Sequence, residues 1–469
     1  MAEIKTYQDY LKVQEGDKKA FVRSLISEHQ ASEEYRIARD AYDYYRHRNV
    51  TITQYQKLLY TVTGKAIPDN WGANYKMASR HFYRFITQEV QFLLGNGVSW
   101  TEKGTEDKLG KDTLSFDRQV QDAATKALWG RVAYGFYNLD HVDIFSALEF
   151  APLYDEKTGA LMAGVRYWQI DPGKPLWGTW YEIDGYTKYA WNTDKNLDEP
   201  KRGYKQKVVT TEVDGREVYD EENYPGFPIV PLWGNKEHQS EFIGLREQID
   251  CFDLIKSAYA NTVDEASIVY WTLQNAGGMT DVDLAKFVQR MKTVHAAATT
   301  EESMKAESHT LEAPYQSREA LLERLDKDLY KDAMALDTDR IASGAVTATQ
   351  IKAAYESLNS KCDAFEYQVL DFINGILKIA GIEDEPTFTR SVIINQNEMI
   401  TTLLSAATYL PDEYVTRKIL EYLGDGDQAD SILQQIDADE IDRFNGREED
   451  EEENNDNSEE DTEVTDEDE

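Results

Sequence analysis

The chain has 469 residues, and its 50 Lys and Arg against 87 Asp and Glu give a formal net charge of −37. Tight non-specific DNA binding depends on Lys and Arg side chains that neutralise phosphates, so this balance argues against a DNA clamp. Hydrophobic residues at 41% and aromatic residues at 12% exclude a largely disordered chain, and the length is sufficient for about three domains.

The sequence has the features of a soluble intracellular protein. It opens without the cationic and then apolar pattern of a secretory signal, and no apolar run reaches the ~18 residues of a membrane span. Its two cysteines, Cys251 and Cys362, are far apart, which is typical of a reducing compartment. We therefore expect neither a disulfide framework nor a membrane partner.

The first 130 residues have the spacing of helices. Apolar and aromatic positions recur every three or four residues over 34–45, 75–94 and 118–129, and each run predicts one helix. The helix over 75–94 is expected to stop at Gly95, and the stretch with Gly64, Pro68 and Gly72 predicts a loop before it.

Residues 130–231 have a different pattern. Alternating, aromatic-rich stretches are separated by turn signals such as Asp184-Gly185, which predicts a meander of antiparallel strands. The predicted strands cover 163–170, 179–183, 186–191, 207–211 and 216–219.

Helical spacing returns after residue 240. Runs over 243–266 and 317–337 predict two long helices that bracket a small mixed insert, and the apolar stripe of each helix needs a partner. A short loop then leads to a longer helix over 348–380, whose apolar stripe includes Ala354, Leu358 and Cys362. Three further helices are predicted over 397–409, 412–423 and 430–444.

The end of the chain is strongly acidic. Residues 448–469 contain 15 acids and no base, while the other 447 residues carry a net charge of −22. Like-charge repulsion without an apolar anchor predicts disorder from about residue 446 onward, with solubility as the default role of this tail.

None of the motifs that catalysis or cofactor binding requires is found in the sequence. It has no phosphate-binding G-x-x-x-x-G-K-[ST] motif, no metal-type spacing among its seven histidines and two cysteines, and no G-x-S-x-G motif. We therefore expect no catalytic residue, no metal and no cofactor, and the chain is not predicted to be an enzyme.

Two groups of basic residues stand out in this acidic chain. Lys76, Arg80 and Arg84 fall four residues apart, which predicts a stripe on one helix face, and residues 201–207 place four bases in a predicted hairpin loop. Contact with DNA or an acidic partner is one interpretation. A solvated face, or ion pairing between subunits, is the favoured one because exposed charge runs usually have that role.

Five stretches, taken in chain order, carry a family resemblance. They are NYKMASRHFYRFITQEVQFLLG at 74–95, YPGFPIVPL at 224–232, GLREQIDCFD at 244–253, Ser343-Gly344-Ala345 before a long helix, and the helical pattern of 393–444. In this order they resemble the tailed-bacteriophage portal proteins of the SPP1-like family. The resemblance spans nearly all of residues 16–445, and its specificity lies in the collinear order, since no stretch is a catalytic fingerprint.

The resemblance implies an α+β, predominantly helical portal fold with wing, stem, clip and crown regions. It implies assembly into a ring of about twelve subunits around a DNA channel at one capsid vertex. The implied regions are, in order, 1–240 wing (helical, then β-rich from about 130), 243–266 stem helix 1, 267–316 clip, 317–337 stem helix 2, 338–347 tunnel loop, 348–380 tunnel helix, 381–394 return to the wing, 395–445 crown and 446–469 acidic tail.

The resemblance also implies the partners and the location of the protein. A portal ring docks the terminase large subunit during packaging and head-completion or adaptor proteins afterwards, and it contacts the major capsid and scaffolding proteins. Double-stranded DNA passes through the ring without tight binding. The expected location is the capsid portal vertex of the virion, and the host cytoplasm during assembly.

The residues implied near DNA form the tunnel loop. They are Thr338, Asp339, Arg340, Ile341, Ala342, Ser343, Gly344, Ala345 and Val346, with Lys327 and Lys331 as candidates that face the channel from the stem. By length alone this loop also fits an ordinary connection between helices, and the two lysines are equally suited to pairing with Glu323 and Asp328. The alternative functions are a DNA-packaging nuclease or ATPase, and a monomeric scaffold or adaptor protein.

Overall fold

A computed structural model describes most of the chain. It covers residues 5–60, 64–69, 72–111, 113–213, 216–266, 270–274, 280, 282–283, 286–287, 289, 305–309, 315–338, 348–390, 396–424 and 429–436. The chain divides into two compact units. One contains Met1–Arg340 and Ala354–Ser391, and the other contains Ile341–Ala353 and Val392–Glu469.

The helices follow the sequence prediction over most of the chain. In order, they are α1 Tyr7–Leu11, α2 Lys18–Ala31, α3 Glu33–Tyr45, α4 Val50–Gln54, α5 His81–Leu94, α6 Thr105–Leu109, α7 Phe116–Gly130, α8 Arg246–Ala266, α9 Tyr315–Asp332, α10 Ala348–Ala380, α11 Gln396–Ala406 and α12 Asp412–Leu423. Residues 429–436 are also helical.

The named strands all form antiparallel pairs. They are β1 Leu58–Tyr60, β2 Ala66–Pro68, β3 Val98–Trp100, β4 Val132–Asn138, β5 His141–Ser146, β6 Phe150–Tyr154, β7 Leu161–Trp168, β8 Leu176–Glu182, β9 Gly185–Trp191, β10 Glu199–Arg202, β11 Lys205–Val213, β12 Arg216–Glu222, β13 Ile229–Trp233, β14 Tyr270–Gln274, β15 Lys305–His309 and β16 Pro386–Phe388. A five-stranded sheet has the order β10-β9-β8-β7-β6, and a three-stranded sheet has the order β13-β4-β5. The remaining named strands pair as β1-β2, β11-β12, β14-β15 and β16-β3.

Three of the five predicted strands, β7, β8 and β9, lie in the five-stranded sheet, and the other two form the separate pair β11-β12. The first two helices bury one face of the five-stranded sheet. Val22 and Ile26 of α2 join Trp180 of β8 in one apolar cluster with Tyr10 of α1. Trp180 is fully buried, and its Nε1–H donates to the Tyr10 hydroxyl at 3.0 Å. The indole therefore contributes apolar area while its one polar group remains satisfied.

The three-stranded sheet packs against α10 at two glycines. A Cβ at Gly135 of β4 would lie 2.5 Å from the Phe372 ring, and a Cβ at Gly375 of α10 would lie 2.7 Å from Val230 of β13. Both positions therefore require glycine because helix and sheet approach too closely for a methyl group.

The helix predicted over 75–94 begins later than expected, so the prediction is wrong for residues 75–80. Residues 73–80 form neither helix nor strand, and α5 begins at His81 because the backbone of 75–79 bonds to another helix, as described below. Lys76 and Arg80 consequently lie outside the helix, so the predicted basic stripe with Arg84 does not form. The predicted stop at Gly95 is confirmed.

Two other helix ends differ from the prediction for local backbone reasons. The helix predicted to begin at Ile243 begins at Arg246, because Gly244 has a positive φ of 88° that ends any helical path before it. The helix predicted to reach Asp337 ends at Asp332. There Met334 takes a left-handed φ of 53°, and the Ala335 N–H closes the end on the Tyr330 carbonyl at 2.9 Å.

The sequence also missed several strands. A hairpin of β1 and β2 occupies part of the predicted loop, and β4, β5 and β6 precede the first strand that was predicted. The basic residues 201–207 are not in a hairpin loop. They join β10 to β11, which belong to different sheets, and Lys201 pairs with Glu182 at 3.0 Å.

The long helix predicted over 348–380 is confirmed as α10, with a small shift of its buried face. Leu358 and Cys362 are buried as predicted, whereas Ala354 is exposed and its neighbour Tyr355 is buried and stacks on Phe92. The helix predicted over 397–409 is present as α11 up to Ala406, and a 3-10 turn, Ala407–Tyr409, covers the rest of the predicted range. The acidic tail lies outside the described residues.

Gly135→Val tests the close packing of β4 on α10. Valine favours strands, so local preference alone would stabilise the protein, but its side chain would overlap the buried Phe372 ring. We expect a loss of about 1–3 kcal/mol in the free energy of unfolding, measured from urea denaturation midpoints. Gly16→Ala is the control because nothing lies within 4 Å of its Cβ, and equal stability of the two variants would contradict the packing.

Candidate functional site

The candidate functional site is the pair of helices α8 and α9 together with the elements that hold it. The two helices run antiparallel, since Gln248 contacts Asp332 near one end and Arg318 donates to the Thr262 hydroxyl at 2.7 Å near the other. The chain between them returns through the antiparallel pair of β14 and β15. The predicted arrangement of two long helices that bracket an insert is therefore present.

A non-helical segment, residues 75–79, lies along α8, and we call it the strap. Its alternate backbone N–H groups donate to side chains on α8: Tyr75 to Asn261 at 2.7 Å, Met77 to Ser257 at 2.9 Å and Ser79 to Asp253 at 2.9 Å. Three acceptors four residues apart lie on one helix face about 6 Å apart, close to the ~6.6 Å repeat of alternate residues in an extended chain. These bonds explain why the strap is not helical.

Asp253 is the buried centre of this contact. Its side chain is fully buried, and it also accepts a hydrogen bond from Asn49 Nδ2 at 2.8 Å. Burial raises the pKa of Asp253 above its usual value, and the hydrogen bonds from Asn49 and Ser79 oppose that shift. Asn49 in turn accepts from the Tyr44 hydroxyl at 2.9 Å, so the network reaches α3.

Helix α5 holds α9 in the same way. His81 Nε2 lies 2.8 Å from Asp326 Oδ1, and Arg84 donates to the Tyr330 hydroxyl. Gln88 bonds both backbone groups of Leu336, donating to its carbonyl at 2.9 Å and accepting from its N–H at 2.8 Å. These three residues of α5 lie three and four positions apart, so one face of α5 fixes α9 and the segment that follows it.

A buried charge cluster lies one residue further along α5. Lys361 Nζ of α10 is 2.8 Å from Glu89 Oε2 of α5, 2.8 Å from Glu241 Oε2 and 3.2 Å from the Ala333 carbonyl. Burial raises the pKa of Glu89 to about 7, although the Lys361 ammonium opposes that shift. Burial also lowers the pKa of Lys361, but the two carboxylates outweigh this effect and hold the pKa above its ordinary value.

The helix pair leaves large apolar side chains in water. Leu254 of α8 is 38% exposed, and Leu321 of α9 is 44% exposed. Val263 and Tyr315, near the other end of the pair, are more than half exposed. Polar contacts hold one side of the pair, and apolar side chains remain available elsewhere on it.

The sequence-predicted channel residues fall at the edge of this site. Lys327 pairs with Glu323, one of the two acids that the alternative interpretation named, and Lys331 and Thr338 are exposed. Asp339, Arg340, Ile341, Ala342, Ser343, Gly344, Ala345 and Val346 lie outside the described residues. Sequence reasoning missed the strap and the charge cluster, although Lys361 is a charged residue within the apolar stripe formed by Leu358, Cys362 and Phe365.

The described part of the chain has neither a metal-binding cluster nor a membrane-spanning helix. Its side chains contain no group of three or more His, Cys, Asp and Glu that is placed to hold a metal ion. Within the same residues, no helix combines the length and the apolar character that a membrane crossing requires.

Comparison with known proteins identifies the family. The model of the family described as phage portal protein, SPP1 Gp6-like, matches residues 25–442. The chain belongs to this family of phage portal proteins. The portal protein of Clostridium phage phiCD119 is 23% identical over 359 residues, which cover 71% of this chain and 76% of the relative. The portal protein of Bacillus phage SPP1 is 21% identical over 427 residues, which cover 82% of this chain and 80% of the relative.

Solved structures similar to this portal protein include the necks of gene transfer agent particles. A chain of the native neck, computed with C12 symmetry, is similar with a TM-score of 0.42 and 10% identity over 72% of this chain and 89% of its own length. A chain of the empty neck, computed with C6 symmetry, has a TM-score of 0.44 and 10% identity. The match covers 73% of this chain and 90% of the neck chain. The family assignment depends on the family match and not on these weaker likenesses.

Asp253→Ala tests the contact between the strap and α8. The substitution leaves the buried side-chain amide of Asn49 and the half-buried backbone amide of Ser79 without an acceptor, so we expect the portal protein to lose about 2–4 kcal/mol of unfolding free energy. Asn261→Ala removes the acceptor of the exposed Tyr75 amide and should cost less than about 1 kcal/mol. Thermal unfolding at one protein concentration measures both, and equal losses would contradict the central role of Asp253.

Lys361→Met should make the stability of the portal protein depend on pH. Without the ammonium, Glu89 stays buried beside Glu241, so its pKa lies still further above that of an unfolded glutamate. The folded variant then holds a proton that the unfolded chain releases above about pH 4.5, so its stability falls as pH rises. We expect a deficit of about 3–5 kcal/mol near pH 8 and a smaller one near pH 5.

The control for this pH dependence is Lys352→Met, which removes an exposed lysine from the same helix. Thermal unfolding of the unmutated protein and both variants at several pH values gives the comparison. The Lys352→Met curve should run parallel to that of the unmutated protein. A Lys361→Met deficit of the same size at every pH would contradict a buried, protonated Glu89.

Proposed function

We propose that this phage portal protein assembles into a closed ring of about twelve copies around a channel for double-stranded DNA. The observation that carries the proposal is the helix pair α8 and α9. Asp253 and the rest of the polar anchor hold one side of it, and a single copy leaves Leu254 and Leu321 exposed to water. In a cyclic assembly each copy can cover apolar side chains of its neighbour, which removes that surface from water.

We assign the regions of the portal fold to this chain as part of the proposal. Residues 1–240 and 381–394 correspond to the wing, 243–266 and 317–337 to the stem, 267–316 to the clip, 338–347 to the tunnel loop, 348–380 to the tunnel helix and 395–445 to the crown. The antiparallel pairing of α8 and α9 around the insert with β14 and β15 supports the assignment of stem and clip.

The DNA-proximal residues in the proposal are those of the tunnel loop, Thr338 to Val346, with Lys327 and Lys331 on the stem. Arg340 is the single cation of the loop. The pairing of Lys327 with Glu323 leaves little free positive charge at that position. The chain outside the tail still carries −22, so an acidic channel wall would repel phosphates and keep DNA from binding tightly as it passes.

The proposed partners follow the same assignment. The clip would dock the terminase large subunit during packaging and head-completion proteins afterwards, and the ring would contact capsid and scaffolding proteins at one vertex. The protein would act as a conduit and not as an enzyme, with no cofactor. The rival is a packaging nuclease or ATPase, and nucleotide hydrolysis by the purified chain at a rate comparable with packaging would overturn this ranking.

A double variant with Leu254→Glu and Leu321→Glu tests whether the helix pair is needed for ring assembly. Charges at these exposed apolar positions should prevent a neighbour from covering them, so we expect rings of about twelve copies from the unmutated protein and mostly monomers from the double variant. Mass photometry and negative-stain images give the copy number. Ile170→Glu, at an apolar side chain that is 87% exposed outside the helix pair, should leave the rings intact, as should a chain that ends at Arg447.

A monomeric unmutated protein under assembly conditions would contradict the ring proposal and favour the scaffold or adaptor alternative. Equal loss of rings in Ile170→Glu and in the double variant would show that added charge, and not the helix pair, prevents assembly. Loss of rings in the chain that ends at Arg447 would give the acidic tail a role in assembly that the proposal does not include.

A further inference from the structure

The segment that follows α9, residues 333–336, is held by two consecutive residues of α5. Gln88 bonds both backbone groups of Leu336, and Glu89 binds the Lys361 ammonium, which donates to the Ala333 carbonyl. From this segment the chain continues directly into residues 338–347. Its position therefore determines where the chain enters the proposed tunnel loop.

The Lys361 ammonium connects four parts of the chain at one point. It projects from α10 and meets Glu89 of α5, Glu241 before α8 and the carbonyl of Ala333 after α9. Glu241 is itself fixed, because its N–H donates to the Leu128 carbonyl of α7 at 3.0 Å and its other carboxylate oxygen accepts from Asn235 at 3.2 Å. Among the described residues, Lys361 is the cation that the buried Glu89 and the half-buried Glu241 share.

Three oxygen atoms surround the Lys361 ammonium. It donates to the Ala333 carbonyl at 3.2 Å and forms ion pairs with one carboxylate oxygen of Glu89 and one of Glu241, each at 2.8 Å. The Ala333 carbonyl lies past the C-terminal end of α9, where helix carbonyls lack partners within the helix and carry negative partial charge. Neutralising two acids does not require a contact with Ala333, so this contact indicates a second role for the lysine.

We propose that Lys361 is a positioning residue that fixes the end of α9 against α10 and so sets where the chain enters residues 338–347. The link to DNA passage depends on the proposed function, because it requires those residues to line the channel. The link to the end of α9 depends only on the contacts of Lys361. The two links can therefore be tested separately.

The test separates positioning from simple charge neutralisation by comparing two variants. Lys361→Met removes both roles. Glu89→Gln with Lys361→Met also removes the buried carboxyl that has to hold a proton, so it should recover much of the thermal stability lost near pH 8 while the Ala333 carbonyl still lacks its donor. Lys352→Met, on an exposed part of α10, is the matched control, and Lys361→Arg keeps a cationic donor at the position.

The readout is amide hydrogen exchange of the peptide that covers residues 329–337, compared with a peptide from the buried strand β8. Positioning predicts exchange at least tenfold faster in 329–337, with β8 unchanged, in Lys361→Met and also in the more stable double variant. Lys361→Arg and Lys352→Met should stay near the unmutated rate. If exchange in 329–337 returns to the unmutated rate in the double variant, Lys361 only neutralises charge and the proposal is wrong.

A second measurement addresses the channel. Mass photometry first establishes that the variant with Glu89→Gln and Lys361→Met still forms rings. This protein is then assembled into particles, and the DNA retained in each particle is compared with that of the Lys352→Met control. We expect a loss of severalfold. Normal DNA content with fast exchange in 329–337 would disprove the link to DNA passage. If unmutated protein forms no ring, the proposed function fails, while the exchange result still decides the role of Lys361.

Discussion

The structure around α8 depends on hydrogen bonds between the backbone of the strap and side chains of this helix. Three strap amides, exposed at Tyr75 and half-buried at Ser79, find acceptors on one face of α8. Because hydrogen bonds are directional, they fix the rotation of α8 about its axis as well as its position. Asp253 faces inward as a result, and the next residue, Leu254, lies about 100° further round the helix and remains exposed.

A polar anchor of this kind suits a helix whose apolar side chains are needed elsewhere. Apolar burial holds a helix in a general direction but allows rotation and sliding, whereas acceptors at Asp253, Ser257 and Asn261 permit one register only. The α9 helix is held similarly by His81, Arg84 and Gln88 of α5. Both helices can therefore keep a defined orientation while Leu254 and Leu321 remain exposed.

Much of the fold could be predicted from the sequence, because long helices and meanders have periodic patterns of their own. The order of those segments was also sufficient to identify the portal family. The strap could not be predicted in this way. Residues 75–80 have helix-compatible spacing, and the side chains that hold them extended lie more than 170 residues further along the chain. The end of α9 was missed because Met334 takes a left-handed conformation without the glycine that usually signals one. For the charge cluster a signal existed, since Lys361 interrupts an apolar stripe, but the sequence did not indicate which acids would meet it.

The contact between the strap and α8 depends on two repeat distances that are nearly equal, one along the helix and one along the strap. Four helical residues advance ~6.0 Å and two extended residues advance ~6.6 Å, so the two scales drift apart by about 0.6 Å at each bond. Three bonds can absorb that drift through small changes in side-chain rotamers, but a fourth would be displaced by about 2 Å, beyond hydrogen-bond range. The strap ends at Ser79, and the chain turns into α5 at His81. A single residue inserted into the strap would reverse the alternation beyond it and turn those amides away from α8.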